Sequence, residues 1–261
     1  FTAEAAFGSG SSQNIDLGDA DLDGDLDAIV ANGGDSVPAL SRIYINDGLG
    51  SFTDETGTRF AGLPADRSRD IEFVDLENDG DLDVFVANTN TLAAGGVSRF
   101  HVNLGGLQSG TVGFFQEETN ARWGTLVSVP LSSQVSGGTA GPSREWSGDA
   151  DFADLDDDGD LDLFFCSYGP QFAGNRDSRV FLNDGAGVFD ELWPWADPAA
   201  DTKTQTQDTD LADCDGDFDL DVLMSDRTPQ ARVYLNNLYG PLGTTPFKDI
   251  TSVALLATGS F

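Results

Sequence analysis

The chain has 261 residues, with 45 Asp and Glu against 13 Lys and Arg and a formal charge of −32, which excludes nucleic-acid backbone binding as its main business. With 39% hydrophobic residues it can still bury a core, so bulk disorder is excluded as well. No apolar run reaches the ~18 residues of a membrane-crossing helix, so no membrane insertion is expected. Two cysteines, Cys166 and Cys214, exclude a disulfide scaffold and leave one bridge or two free thiols open.

In chain order, a first strand is expected around Asn14–Leu17, with Ile15 and Leu17 on one face and Asn14 and Asp16 on the other. The acidic string DADLDGDLD follows from Asp19, then an apolar strand at Ala28-Ile29-Val30. A third strand, Arg42-Ile43-Tyr44-Ile45-Asn46, alternates with period two and ends in an Asn-Asp-Gly turn before a short fourth strand at Phe52. The same succession recurs three times. Its acidic strings are DLENDGDLD from Asp75, DLDDDGDLD from Asp154 and DCDGDFDLD from Asp213, so the starts lie 56, 79 and 59 residues apart. Later third strands run Arg99–Asn103, Arg179–Asn183 and Arg232–Asn236, and later fourth strands centre on Phe115, Phe189 and Phe247. A period near 60 residues with four hairpin-linked strands predicts an all-β fold of four-stranded antiparallel propeller blades. The blades fall at about 13–56, 69–119, 148–192 and 206–251, within one unit spanning 1–261. The reading favours an incomplete propeller, since Phe1-Thr2-Ala3-Glu4 resembles the fourth strand of a preceding blade.

Carboxylates at alternate positions 1, 3 and 5 converge only if the chain turns tightly, and hard oxygen ligands at that density suit calcium. A helix–loop–helix calcium hand is excluded, because its twelfth position needs Glu and here it is Val30, Val86, Phe165 or Met224. Position 9 is Asp in every copy, so each loop closes between two strands. A solvated acidic face has no reason to keep this register, and loop positions 1, 3, 5, 7 and 9 hold 20 of the 45 acids.

These loops, the Arg-to-Asn strand, the Asn-Asp-Gly turn and Phe52-Thr-Asp-Glu-Thr56 resemble the FG-GAP/VCBS repeats of integrin α-subunit-like β-propellers, with the pattern most similar to the cartilage acidic protein branch. The resemblance implies calcium in the loop between the first and second strands, up to four ions, held by side chains 1, 3, 5 and 9 and the carbonyl of 7. Carried over, the first loop would use Asp19, Asp21, Asp23, Asp27 and the Asp25 carbonyl, and the second Asp75, Glu77, Asp79, Asp83 and the Asp81 carbonyl. The third would use Asp154, Asp156, Asp158, Asp162 and the Asp160 carbonyl, and the fourth Asp213, Asp215, Asp217, Asp221 and the Asp219 carbonyl. Phe218 stands where the other loops have Gly24, Gly80 and Gly159, which is costly if that position needs a positive φ, although Gly216 can absorb part of the turn.

The expected function is an extracellular or cell-surface, calcium-stabilised binding or adhesion module without catalysis. A protein or carbohydrate ligand would dock on the face opposite the calcium loops, where Trp123, Trp146, Trp193 and Trp195 could anchor it or instead cap the blade core. A carbohydrate-active enzyme and a self-assembling surface-layer or filament subunit are the alternatives. Against an enzyme, the single histidine, His101, holds the ring position of Tyr44, Phe181 and Tyr234, and no nucleophile-elbow or zinc-binding His-pair motif occurs. The acids of the first strands (Asp16, Glu72, Asp151 and Asp210, with Asp70, Asp149 and Asp208) need partners. The reading pairs them with the repeated Arg42, Arg99, Arg179 and Arg232, the alternative being an acidic, hydrated axis.

Overall fold

In the computed structural model, residues 11–34, 37–60, 62–89, 97–125, 147–167, 178–192, 194–196, 206–226, 231–238, 240 and 245–251 are described. Phe1–Glu4, Trp146 and Trp193 lie outside them. Among the described residues, sixteen strands form four separate antiparallel sheets, each a simple meander. The first contains β1 (Ser12–Gly18), β2 (Asp27–Asn32), β3 (Arg42–Asn46) and β4 (Phe52–Asp54); the second contains β5 (Ser68–Val74), β6 (Asp83–Asn88), β7 (Arg99–Asn103) and β8 (Phe115–Glu117). The third runs β9 (Ser147–Ala153), β10 (Asp162–Ser167), β11 (Arg179–Asn183) and β12 (Phe189–Leu192). The fourth runs β13 (Thr206–Ala212), β14 (Asp221–Asp226), β15 (Arg232–Asn236) and β16 (Phe247–Asp249). These are the four expected blades. No helix among the described residues is long and apolar enough to cross a membrane.

The second strands show why the blades stack. β2 and β6 are buried along their whole length; alternate residues face opposite sides, and in β6 the two sides meet different blades. Ile29 and Ala31 join Ile71, Val84 and Phe115 between the first two blades, whereas Phe85 and Ala87 join Leu163, Phe165 and Phe189 between the second and third. Phe164 and Cys166 meet Val222, Met224 and Phe247 between the third and fourth. Aromatic rings fill these junctions: Phe60 stacks on Phe115 at 4.5 Å and Phe100 on Phe189 at 5.2 Å, while Trp195 meets Tyr234 edge-on at 5.1 Å. Such pairs contribute about 0.5–1.5 kcal/mol each beyond the area they bury.

Two features escaped the sequence reading. One-turn helices α1 (Thr56–Arg59) and α2 (Thr119–Arg122) follow β4 and β8. Each begins at a Thr whose hydroxyl accepts an N–H from the third strand, Ile43 and Phe100 respectively, both at 3.1 Å. The residue closing each helix then bridges to the next blade, Phe60 to Phe115 and Trp123 to Phe189, and Ala196 does the same to Phe247. The second feature is an asparagine ladder. Asn103 donates to the Ala20 carbonyl at 3.0 Å, Asn183 to Leu76 at 2.9 Å and Asn236 to Leu155 at 2.8 Å, each lacing its blade to the loop of the blade before.

The cysteines are free, Cys166 buried and Cys214 exposed. Trp123 and Trp195 are core residues of the blade junctions, so of the two tryptophan roles the capping one holds for this pair. His101 is buried edge-on to Phe60, and burial pushes its pKa down to about 4, as suits a packing residue kept neutral.

Candidate metal centres

Each acidic loop turns between the first and second strands of its blade, held by its own carboxylates. The position 1 acid accepts the amides of positions 5 and 6: Asp19 from Asp23 and Gly24, Asp75 from Asp79 and Gly80, Asp154 from Asp158 and Gly159, at 3.0–3.1 Å. The position 9 acid, buried in every blade, bridges the loop to the end of the third strand. Asp27 accepts from Ala20 and Asn46, Asp83 from Leu76 and Asn103, Asp162 from Leu155 and Asn183, and Asp221 from Cys214 and Asn236. Positions 4 and 6 take positive φ throughout. In the fourth loop these are Gly216 at 85° and Phe218 at 79°, and the Phe218 side chain is 93% exposed. The sixth position therefore requires the left-handed conformation, and Phe218 adopts it at a steric cost.

This folding brings positions 1, 3 and 9 together. Oxygens of Asp19, Asp21 and Asp27 all lie within 4.8 Å of one another, as do those of Asp154, Asp156 and Asp162 and those of Asp213, Asp215 and Asp221. The second loop shows no such trio; its position 3 is Glu77, whose Oε1 is held by Arg122 and by Gln108 at 3.1 Å while Oε2 has no partner. Position 5 lies outside the trios: Asp23, Asp79, Asp158 and Asp217 each accept the amide two residues on, that of Asp25, Asp81, Asp160 or Asp219. At position 7 the side chains of Asp25, Asp81 and Asp160 pack against Gly48, Gly105 and Gly185, where a Cβ would come within 2.5 Å of a carboxylate oxygen. Gly48 and Gly185 also take positive φ, so space and backbone both favour glycine there.

In the first three loops position 3 keeps an oxygen without a donor. Asp21 Oδ1, Glu77 Oε2 and Asp156 Oδ1, all at position 3, are buried without a hydrogen-bond partner. Burial and then contact with Glu77 push Asp83 up to about 9. Burial brings Asp162 to about 7 despite its two amide bonds, and burial with Asp79 alongside brings Asp81 to about 7. Crowded carboxylates with orphaned oxygens are disfavoured as anions unless a positive charge joins them, and the donor set is all oxygen. These clusters can hold a metal ion.

The first-strand acids behave differently from the paired arrangement expected. Among the described residues Arg42 pairs with Asp54, Arg99 with Asp66 at 3.0 Å, Arg179 with Glu191 at 2.7 Å, and Arg232 with Asp226 and Asp249 at 3.4 and 3.3 Å. The pairing reading is thereby corrected. Three of the acids instead accept N–H groups from the edge of the next first strand: Asp16 from Phe73 at 2.8 Å, Asp70 from Ala150 at 3.0 Å and Asp149 from Thr209 at 2.8 Å. Asp70, 1% exposed, also accepts from Asn14. Burial and mutual repulsion push Glu72 up to about 8 and Asp151 to about 7, and raise Asp70 and Asp149. The first strands, packed β1 on β5, β5 on β9 and β9 on β13, form an acidic seam.

Residues 19–86 match the family model of the FG-GAP-like repeat, a span running from the first loop aspartate into β6. Comparison with curated proteins finds no match to the chain.

Proposed function

We propose that the chain is a calcium-stabilised binding or adhesion module that works outside the cell and has no catalysis of its own. The observation that carries this is the buried, donorless carboxylate oxygen at position 3 of the first and third loops, Asp21 Oδ1 and Asp156 Oδ1, each in a trio of carboxylates gathered within 4.8 Å. The FG-GAP-like repeat over 19–86 supports the binding-module class. Calcium accepts six to eight oxygens with loose geometry, which suits loops that differ in their third acid, and extracellular calcium is abundant enough to fill moderate sites. The ligands come together only in the folded chain, so the ion stabilises by mass action. The partner, a protein or carbohydrate, would dock on the face opposite the loops. Because Trp123 and Trp195 serve the core, recognition there falls to connections such as Asn32–Ser41, whose Val37 is exposed.

Calcium content and melting temperature, measured before and after chelation, test the proposal. Bound calcium and a marked fall in melting temperature on its removal are expected. A melting curve unchanged after verified metal removal would overturn it.

A further inference from the structure

We propose that Arg59 and Arg122 are positioning residues that couple cation occupancy of the first and second loops to the docking of the next blade. The inference rests on the cation reading given above and adds to it a mechanical link.

The two arginines occupy equivalent places, each three residues after the Thr that opens α1 or α2. Each is nearly buried and makes the same three contacts. Arg59 donates from Nε to Glu55 at 2.7 Å, from Nη2 to Asp21 Oδ2 at 2.9 Å and from Nη1 to the Gly113 carbonyl at 3.2 Å. Arg122 donates from Nη2 to Glu118 at 2.8 Å and from Nη1 to the Ala186 carbonyl at 2.9 Å, and its Nη2 pairs with Glu77 Oε1. Thus one carboxylate at loop position 3 spends one oxygen on the guanidinium, while the other, Asp21 Oδ1 or Glu77 Oε2, is buried and has no donor. The guanidinium's far end meanwhile holds the turn before the fourth strand of the following blade.

Glycine makes room for this contact. A Cβ on Gly113 would lie 2.3 Å from Arg59 Nη1, and one on Gly187 would lie 2.5 Å from Arg122 Nη1. The equivalent Gly50, two residues before Phe52 in the first blade, has nothing within 4 Å of such an atom. In the third blade the place before the bridging residue Ala196 belongs to Trp195, which is core, and among the described residues Asp156 keeps its orphaned Oδ1 without an arginine of this kind.

A cation that engages the free oxygen fixes the carboxylate, a fixed carboxylate orders the guanidinium, and an ordered guanidinium holds the neighbouring turn. By linkage the docked turn must favour the cation to the same degree. A static ion pair would instead brace the turn equally with or without the cation.

Hydrogen exchange on the full chain, with calcium and with chelator, separates these cases by comparing the turns at 112–114 and 184–188 with the turn at 47–51. The expected result is that calcium slows exchange at 112–114 and 184–188 about tenfold more than at 47–51. R122Q should abolish the extra slowing at 184–188 and keep it at 112–114, and R59Q should do the reverse, so each variant carries its own control for folding. If neither variant folds, the three wild-type turns decide the matter. Equal slowing at all three turns, or R122Q behaving as wild type at 184–188, would overturn the coupling while leaving calcium binding intact. Absence of bound calcium and of any calcium effect would overturn the cation reading and the coupling together.

Discussion

Glu72→Gln tests the acidic seam. Glu72 lies on β5, half-buried, and burial followed by repulsion from Asp16, Asp149 and Asp151 raises its pKa from 4.5 to about 8. A carboxyl whose folded pKa is raised holds its proton more tightly folded than unfolded, so its ionisation removes stability as pH climbs from 4.5 to about 8. At 1.36 kcal/mol per pH unit the ceiling is on the order of 5 kcal/mol; solvent screening of a half-buried group brings the expected gain from glutamine to about 2–3 kcal/mol. Glutamine keeps the volume and removes the charge. The variant should match wild type near pH 4.5 and exceed it by roughly 5–10 °C in melting temperature at pH 9. Calorimetry in saturating calcium keeps loop titration out of the comparison. A variant no more stable than wild type at pH 9, or a difference that does not change with pH, would show that the seam is ionised and compensated, as by a bound cation along it, and the reasoning would fail.

Two further substitutions probe the junctions and the loops. Asn183→Ala removes the donor shared by the Leu76 and Leu161 carbonyls at 2.9 and 3.1 Å and should cost about 2–4 kcal/mol in urea denaturation. Asn46→Ala should cost about 1 kcal/mol or less, because among the described residues the Asn46 side chain bonds within its own blade, to the Leu26 carbonyl and the Gly50 amide; equal losses would refute the interblade role. Phe218→Gly relieves a left-handed, exposed phenylalanine and should gain about 1 kcal/mol, read as a rise in urea midpoint at constant slope. A loss of stability would mean that the ring packs usefully against the fourth loop.

The period and the strand pattern were legible because both are local: alternation fixes which residues share a face, and the glycines and aspartates mark the turns. The destination of the arginines was not, because an offset along the chain does not say which neighbour a long side chain meets. A signal was nonetheless present. An acid recurs two residues after the aromatic of every fourth strand, at Asp54, Glu117, Glu191 and Asp249, and three of these four receive Arg42, Arg179 and Arg232. Tyr44 pairs with Asp54 and Phe181 with Glu191, so each of these arginines sits two residues along from the partner of its acid, within diagonal reach across the sheet. Glu117 instead accepts the amide of Thr119 at 3.0 Å, and Arg99 turns to Asp66.

The acids therefore divide by what neutralises them, and that division explains a charge of −32 in a folded chain. Three of the four fourth-strand acids meet arginines; loop acids at positions 1 and 9 meet backbone amides; Asp16, Asp70 and Asp149 cap edge amides of the next first strand, which no ladder pairs. Position 3 alone keeps a buried oxygen that no donor reaches in three successive loops. With only 13 basic side chains, several already engaged in the blade edges and junctions, the chain cannot supply that charge everywhere. Arg59 and Arg122 satisfy one oxygen of their acids and leave the other facing the loop. On the proposed reading a cation from solution meets the remaining demand, which is sharpest in the third loop, where Trp195 stands in the arginine's place and Asp156 is raised by burial and by Asp158.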